Sequence, residues 1–209
     1  MRNKMKRRIL KTTTLYFQDS SPIRQGKTSV YLTEVFQPII KTIEELSNYT
    51  YGTDEEKDKS VRIIADHSRS SVFILGDQRG VTPDRVGAGY VLRRLIRRAV
   101  RHGMKLGIEE SFLAKIAATV VDNFKIAYPE LEQNAEKIYK ELTAEEEKFR
   151  KTLLKGEAEF QKLLPNLMKN PKKIISGKVA YNLYETYGFP LELTQELGAE
   201  NGFHPVSAF

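Results

Sequence analysis

The sequence predicts an all-α fold, a helical bundle with one long helix over about residues 129–164 and no β-sheet. Apolar residues recur at three- and four-residue steps through most of the chain, which is the period of an amphipathic helix. No stretch of four or more residues alternates apolar and polar side chains as a half-buried strand does. With 209 residues, 40% of them hydrophobic, the chain is long enough to bury a sizeable core.

The basic residues are concentrated in two segments. Residues 1–24 are predicted to form a basic N-terminal leader, since residues 1–11 hold six lysines and arginines, no acidic residue and no sustained helical period. The chain has a net charge of +7, so the part after residue 11 carries only +1. Residues 85–105 hold seven further basic residues and no acidic one. Such concentration indicates a polyanionic partner.

Two helices are predicted before residue 77. The first begins near Thr33, or at Pro38 if that proline marks its true start, and ends near Asn48. The second helix is predicted to bury one narrow stripe of residues on a single face and to end with Gly76 as its C-cap. The stripe consists of Val61, Ile64, Ala65, Ser68, Val72 and Leu75.

Two more helices are predicted before residue 129. In the third helix, Gly87 and Gly89 indicate that regular helical structure starts only near Tyr90. The apolar residues after Tyr90 are predicted to face inward. The fourth is capped by Ser111 and stops before Pro129. These segments define a helical subdomain over residues 25–128 that contains an arginine-rich helix.

The remainder, residues 129–209, is predicted to be the long helix followed by a C-terminal helical pair. The long helix repeats its apolar positions every eleven residues, which keeps them on one face of a nearly straight helix. These positions are Ile138, Leu142, Phe149, Leu153, Phe160 and Leu164. Its other faces are rich in Glu and Lys, as in a solvent-exposed rod. The final pair is broken at Gly188 and Pro190.

Several classes of protein are excluded or disfavoured. The chain has no cysteine, and His67, His102 and His204 are too scattered to suggest a metal site. No phosphate-binding loop, dinucleotide fingerprint, zinc-protease motif or nucleophile elbow occurs. No apolar run has the length of a membrane span, and the basic start lacks the apolar region of a secretory leader. We therefore expect a cytoplasmic protein without catalytic residues of its own.

The arginine-rich helix, GYVLRRLIRRAVRHG at 89–103, is the strongest functional candidate. Five arginines recur at three- and four-residue steps with no nearby carboxylate, so they repel one another unless counter-charges are supplied. The spacing predicts a basic stripe that projects from the face opposite the apolar residues and consists of Arg94, Arg97, Arg98, Arg101 and Lys105. Phosphates of a nucleic acid are one source of counter-charge, and acids of the Glu-rich rod are the other.

Two further segments carry polar residues of interest. In RIIADHSRSS at 62–71, Asp66 and His67 are adjacent and so point about 100° apart on a helix, which excludes a triad-like pair. A structural or phosphate-contacting His67 is favoured. In LYETYGFPLEL at 183–193, Glu185 lies near a helix end, and a structural role is favoured there from the pattern alone.

Taken together, RIIADHSRSSVFILGD, GAGYVLRRLIRRAVRHG, AYPEL and LYETYGFPLELT resemble the alanyl-tRNA synthetase family, in the region after its class II catalytic core. The resemblance covers roughly residues 25–204. It implies an all-helical region that binds the acceptor stem of alanine tRNA, while ATP and Mg²⁺ act in an upstream catalytic domain. We expect that domain and the downstream editing domain to be absent here, and no cofactor in this chain.

The resemblance also implies which residues contact tRNA. Arg85 and Glu185 stand where the family has an Asn and an Asp that read the G·U wobble pair, and Ala88 replaces a usual Arg. Glu keeps an acceptor but moves it one methylene further out, whereas Arg only donates. The expected tRNA-binding residues are His67, Arg69, Arg85, Tyr90, Arg93, Arg94, Arg97, Arg98, Arg101 and Glu185.

Two other hypotheses remain open at this point. The chain is either a helical protein-interaction module, with the arginines satisfied internally by acids such as Glu145, Glu146 and Glu147, or one piece of a split synthetase that completes a separate catalytic polypeptide. Charge reversal at Arg94 and Arg98 separates the first of these from tRNA binding, because it should reduce thermal stability only if the arginines are internally paired.

Overall fold

The computed structural model describes residues 26–187 and 189–204, and within these ranges the fold is all-α, as predicted. A short 3₁₀ turn, Val30–Leu32, precedes the helices, and the described residues contain no strand beyond one isolated bridge between Ile174 and His204. The helices are α1 (Gln37–Ser47), α2 (Glu55–Gly76), α3 (Gly87–Lys105), α4 (Leu113–Phe124), α5 (Pro129–Gln133), α6 (Ala135–Leu167), α7 (Gly177–Tyr187) and α8 (Leu191–Glu200). The predicted leader, residues 1–24, lies outside the described residues.

The chain divides into two compact units, one ending at Glu147 and the other beginning at Lys148. The division falls inside α6, whereas the sequence pattern placed a boundary at the start of the long helix. Helices α1 to α5 and the N-terminal part of α6 belong to the first unit, and α7 and α8 belong to the second.

The core of the first unit forms where α2 packs along α3 and where α4 packs against α1 and α2. The predicted α2 stripe is confirmed, since all six of its residues are buried. Pro38 marks the start of α1, which begins at Gln37 rather than at Thr33. Asp54 caps α2 by accepting a hydrogen bond from the backbone N–H of Lys57 at 3.0 Å. Helix α2 therefore begins at Glu55, six residues before the first residue of its apolar stripe.

The predicted start of α3 near Tyr90 is wrong, because the helix begins at Gly87. Gly87 has φ +59°, a left-handed conformation that glycine adopts without strain. Gly89 lies within the helix, and a Cβ there would come 2.6 Å from the carbonyl oxygen of Thr82. The second glycine thus marks a close approach of the preceding loop rather than a break in the helix.

The N-terminus of α4 is capped from elsewhere in the first unit. Phe112, not Ser111, occupies the N-cap position and supplies no capping side chain. The fully buried carboxylate of Glu146 accepts hydrogen bonds from the backbone N–H groups of Phe112 and Leu113, the latter at 2.9 Å. A carboxylate at this position also suits the positive end of the helix dipole.

The long helix differs from its predicted bounds of 129–164. It is interrupted at Asn134, whose side chain donates a hydrogen bond to the carbonyl oxygen of Gly76 at 3.0 Å, so α5 is separate and α6 starts at Ala135. At the other end α6 continues to Leu167, with Pro165 in its last turn. The apolar repeat is confirmed from Ile138 to Phe160, and Leu164 is half-buried.

In the second unit α7 packs against α8, and Ile175 of the connection from α6 lies against Gly198 of α8. Phe189 is fully buried and lies so close to Gly156 of α6 that a Cβ on that glycine would overlap its ring. Pro190 forms the N-cap of α8, while the predicted break at Gly188 lies outside the described residues. The C-terminal pair is therefore two helices, as expected.

Candidate nucleic-acid interface

The basic residues of α3 fall into an exposed set and a buried set. Arg94, Arg98 and Lys105 are exposed, and we call these three the outer basic row. Arg97 is 8% exposed and Arg101 only 2% exposed, so the predicted solvent-facing stripe is wrong for these two of its five residues. Arg93 is half-buried.

Helical angle does not explain this division. Arg101 is seven residues from Arg94, which places it within about 20° of that residue around the helix axis. Its burial is therefore a tertiary effect of the elements around the C-terminal half of α3. Residue spacing along a single helix carries no information about such coverage.

Glu145 of α6 contacts two members of the arginine cluster, by which we mean Arg93, Arg94, Arg97, Arg98 and Arg101 of α3. Its Oε1 accepts hydrogen bonds from the Nε of Arg97 at 2.7 Å and from the Nε of Arg93 at 3.1 Å. Burial lowers the pKa of Arg97, and the hydrogen bond and charge of Glu145 oppose that shift. One carboxylate thus neutralises part of the cluster from inside, as the interaction-module hypothesis expected of the Glu-rich helix.

The other two acids named in that hypothesis do different things. Glu146 caps α4, as described above, and Glu147 is exposed. Glu145 therefore supplies an internal counter-charge to half-buried Arg93 and buried Arg97. The outer basic row remains at the surface.

Two residues near the start of α3 extend the exposed surface. Tyr90 is 40% exposed, and the guanidinium of Arg94 lies 5.8 Å from the centre of its ring. Arg85 is exposed in the loop before the helix, where its backbone N–H donates to Asp84 at 2.6 Å. Val86 and Val91 are also exposed, at 71% and 55%. The exposed surface around the start of α3 therefore contains apolar side chains as well as Tyr90, Arg85 and the outer basic row.

His67 and Arg69 on α2 have different surroundings. Burial lowers the pKa of His67, and the nearby charge of Arg98 lowers it further, so a neutral imidazole lies beside the outer basic row. The Arg69 guanidinium packs among three aromatic rings, 5.1 Å from the centre of Phe73 and 5.2 Å from that of Phe124. Burial also lowers the pKa of Arg69. This packing favours a structural role for Arg69.

The charge of Asp66 opposes the lowering of the pKa of His67 and is the smallest of the three contributions. Asp66 accepts a hydrogen bond from the hydroxyl of Tyr31 in the 3₁₀ turn. Burial, followed by this hydrogen bond, raises the pKa of Tyr31 to about 12. The hydrogen bond between Tyr31 and Asp66 therefore links the 3₁₀ turn to α2.

His102 was not predicted as a site residue, and the structure places it under the same cluster. It is buried, with its Nδ1 3.0 Å from the Oγ of Ser60. Burial lowers its pKa to about 3, with further contributions from Lys105, Arg101 and Arg98. His102 is therefore neutral near pH 7. No sequence signal distinguished it from a surface histidine at the end of a basic helix.

In the second unit, Glu185 is exposed on α7. Its Oε1 accepts a hydrogen bond from the hydroxyl of Tyr181 at 3.1 Å, and that bond with the charge of Glu185 raises the pKa of Tyr181. Tyr181 and Tyr184 are 52% and 59% exposed. Tyr181 was missed as a site residue, although its four-residue separation from Glu185 was a usable signal.

Across residues 26–187 and 189–204, no group of three or more His, Asp or Glu side chains is arranged to hold a metal ion. Within the same ranges, no helix combines the length and apolarity needed to cross a bilayer.

Comparison with known proteins gives the family. A family model described as tRNA synthetases class II (A) matches residues 5–205, a match that begins about twenty residues before the motif-based resemblance. Alanine–tRNA ligase of Treponema denticola is 62% identical over 178 residues, which make up 85% of this chain and 30% of that protein. The ligases of Treponema pallidum and Borreliella burgdorferi are 47% and 51% identical over 180 residues, again 86% of this chain and 30% of theirs.

The chain therefore spans about 30% of the length of these relatives. Because the family model matches nearly all of its residues, the chain belongs to the class II alanyl-tRNA synthetase family.

Proposed function

We propose that the chain binds the acceptor stem of alanine tRNA and acts as the tRNA-recognition region of an alanyl-tRNA synthetase. The observation that carries the proposal is the outer basic row, Arg94, Arg98 and Lys105, exposed on one helix of an otherwise mildly acidic body. Lysine and arginine side chains in such a row bind phosphates and release counterions. Membership of the family supports tRNA as the polyanion.

Glu145 contributes to this function indirectly. By offsetting one of the two positive charges of Arg93 and Arg97 from the protein side, it lowers the repulsion that a row of like charges on one helix would otherwise create. The helix is then stable with its outer arginines still directed at solvent. We assign phosphate contacts to the outer basic row and to Arg85, and a supporting role to Arg93, Arg97 and Arg101.

Base reading is assigned to Glu185 in the second unit. The shallow minor groove of A-form RNA exposes base edges and 2′-hydroxyls, where a carboxylate accepts hydrogen bonds. Tyr90 adds an exposed ring on which a nucleotide can stack. His67, neutral beside Arg98, is suited to a hydrogen bond with a phosphate oxygen or a hydroxyl.

The wider activity of the family belongs to the same proposal. ATP-dependent alanylation with Mg²⁺ takes place in a catalytic domain, and we assign no ATP or Mg²⁺ site to the described residues of this chain. The proposal includes a cytoplasmic location and no membrane partner. A split synthetase, in which this chain completes a separate catalytic polypeptide, would use the same tRNA surface.

The interaction-module hypothesis is the rival, since Glu145 pairs with two arginines as it expects. The experiment is a filter-binding titration of the chain and two double variants with alanine tRNA carrying the G·U pair and with a G·C variant. Arg94→Gln/Arg98→Gln removes two charges of the outer basic row. Lys41→Gln/Lys140→Gln is the matched control, since both lysines are exposed on other helices of the first unit.

We expect the first variant to lose about tenfold or more in affinity for both tRNAs, and its unfolding free energy to change by less than about 1 kcal/mol because both arginines are exposed. The control should bind nearly as the parent chain does. Equal affinity of the two variants, or no binding by the parent chain, would contradict the proposal. In that case, loss of stability in the first variant would favour the interaction module.

A further inference from the structure

The exposed face of α7 contains a side-chain pair that goes beyond the proposed reading by Glu185. Tyr181, one helical turn before Glu185, donates its hydroxyl to Oε1 of the carboxylate at 3.1 Å. Both side chains are exposed, so the contact is made on the surface and is not forced by core packing. Tyr184 lies on the same side of the helix, three residues from Tyr181.

A glutamate on a helix surface samples many rotamers, and fixing it for recognition costs side-chain entropy. The phenol of Tyr181 is attached to a rigid ring with two torsions, so it restrains the carboxylate with little entropy of its own. The hydrogen bond occupies one oxygen of Glu185 and leaves the carboxylate with capacity to accept from a second donor. An amino group at the edge of a base is such a donor.

We propose that Tyr181 is a positioning residue for Glu185, holding its carboxylate toward a base amino group in the minor groove of bound RNA. The inference rests on the proposed function, because it needs an RNA in contact with Glu185. It explains how a glutamate, with one methylene more than aspartate, presents an acceptor in a defined place. The ring of Tyr181 supports the longer side chain from the preceding turn.

The pair has a signature in the free protein. The hydrogen bond to Glu185 and its negative charge raise the pKa of Tyr181 above its ordinary value. Replacing Glu185 by glutamine keeps an acceptor oxygen but removes the charge, so the pKa of Tyr181 should move back toward that value. Ultraviolet titration of the tyrosines in the full chain and in Glu185→Gln measures this shift without any RNA.

The decisive experiment compares affinities for alanine tRNA with the G·U pair and for its G·C variant. The proteins are the full chain, Tyr181→Phe, Glu185→Gln, the combination of these two changes, and the matched control Tyr184→Phe. Tyr181→Phe should reduce the preference for G·U by about threefold or more, the size expected for loss of one hydrogen bond, with affinity for G·C unchanged. Tyr184→Phe should keep the preference, and Tyr181→Phe should add nothing once Glu185 is replaced.

The outcomes separate the two proposals. If the full chain prefers G·U and Tyr181→Phe keeps the whole preference, the positioning role is overturned while tRNA binding stands. If the full chain binds both tRNAs equally, Glu185 does not read the pair and the positioning role is again overturned, with phosphate binding intact. If no tRNA binds, both proposals are wrong.

Discussion

Replacing Glu145 with glutamine is the sharpest test of how the arginine cluster is built. The change keeps the volume of the side chain but removes the negative charge that faces Arg93 and Arg97 at 3.1 Å and 2.7 Å. Removing one partner of a fully buried ion pair costs about 3–5 kcal/mol. The side chains of Glu145, Arg97 and Arg93 are 9%, 10% and 19% exposed, so we expect a loss nearer about 2–3 kcal/mol, since water reaches the pair partially.

Equilibrium urea unfolding followed by circular dichroism measures this loss as a shift of the midpoint at constant slope. Glu147→Gln is the matched control, because it removes the same charge from an exposed position two residues away, and its effect should stay within about 0.5 kcal/mol. If Glu145→Gln changes the free energy of unfolding no more than Glu147→Gln does, Glu145 is not a structural counter-charge and the internal pairing argument fails.

Three other changes test the packing and titration of the first unit. Glu146→Gln should destabilise the chain by about 1–2 kcal/mol in urea unfolding, since it disturbs the cap of α4. Gly103→Ala should cost about 1–3 kcal/mol in the same assay, because its Cβ would overlap the ring of Phe112; a neutral effect would refute this packing. The pKa of His102 is about 3 when folded and near 6.5 when unfolded, so the unfolded state binds more protons between these values. Stability should therefore fall as the pH drops from 6.5 toward 3, and His102→Gln should flatten that part of the profile.

The sequence predicted those features of the fold that depend on one helix at a time. The α2 stripe is confirmed because its six residues share one face, and the apolar repeat of α6 is confirmed from Ile138 to Phe160 for the same reason. The interruption at Asn134 was missed because it depends on a hydrogen bond to Gly76, a residue far away in sequence. Gly89 was misinterpreted because a glycine required by a neighbouring loop has the same letter as one that ends a helix.

The candidate site was predictable in its residue types but not in the exposure of each residue. Arg94 and Arg98 are exposed as expected, whereas Arg97 and Arg101 have similar spacing and are buried. The spacing along α3 also gives no sign of the contact with Glu145 of α6, which buried Arg97 shares with half-buried Arg93. The family was recognisable from four ordered motifs, and the comparisons confirm it.

We propose that the outer basic row, and not the whole set of arginines on α3, binds tRNA phosphates. The most direct measurement is the dependence of tRNA affinity on salt for the full chain and for Arg94→Gln/Arg98→Gln. With about four phosphate contacts, from the row and Arg85, the log–log slope for the full chain should be roughly −3 to −4, and the variant should lose about two contacts' worth of that slope. An unchanged slope in the variant would contradict the claim, because the phosphates would then be bound elsewhere.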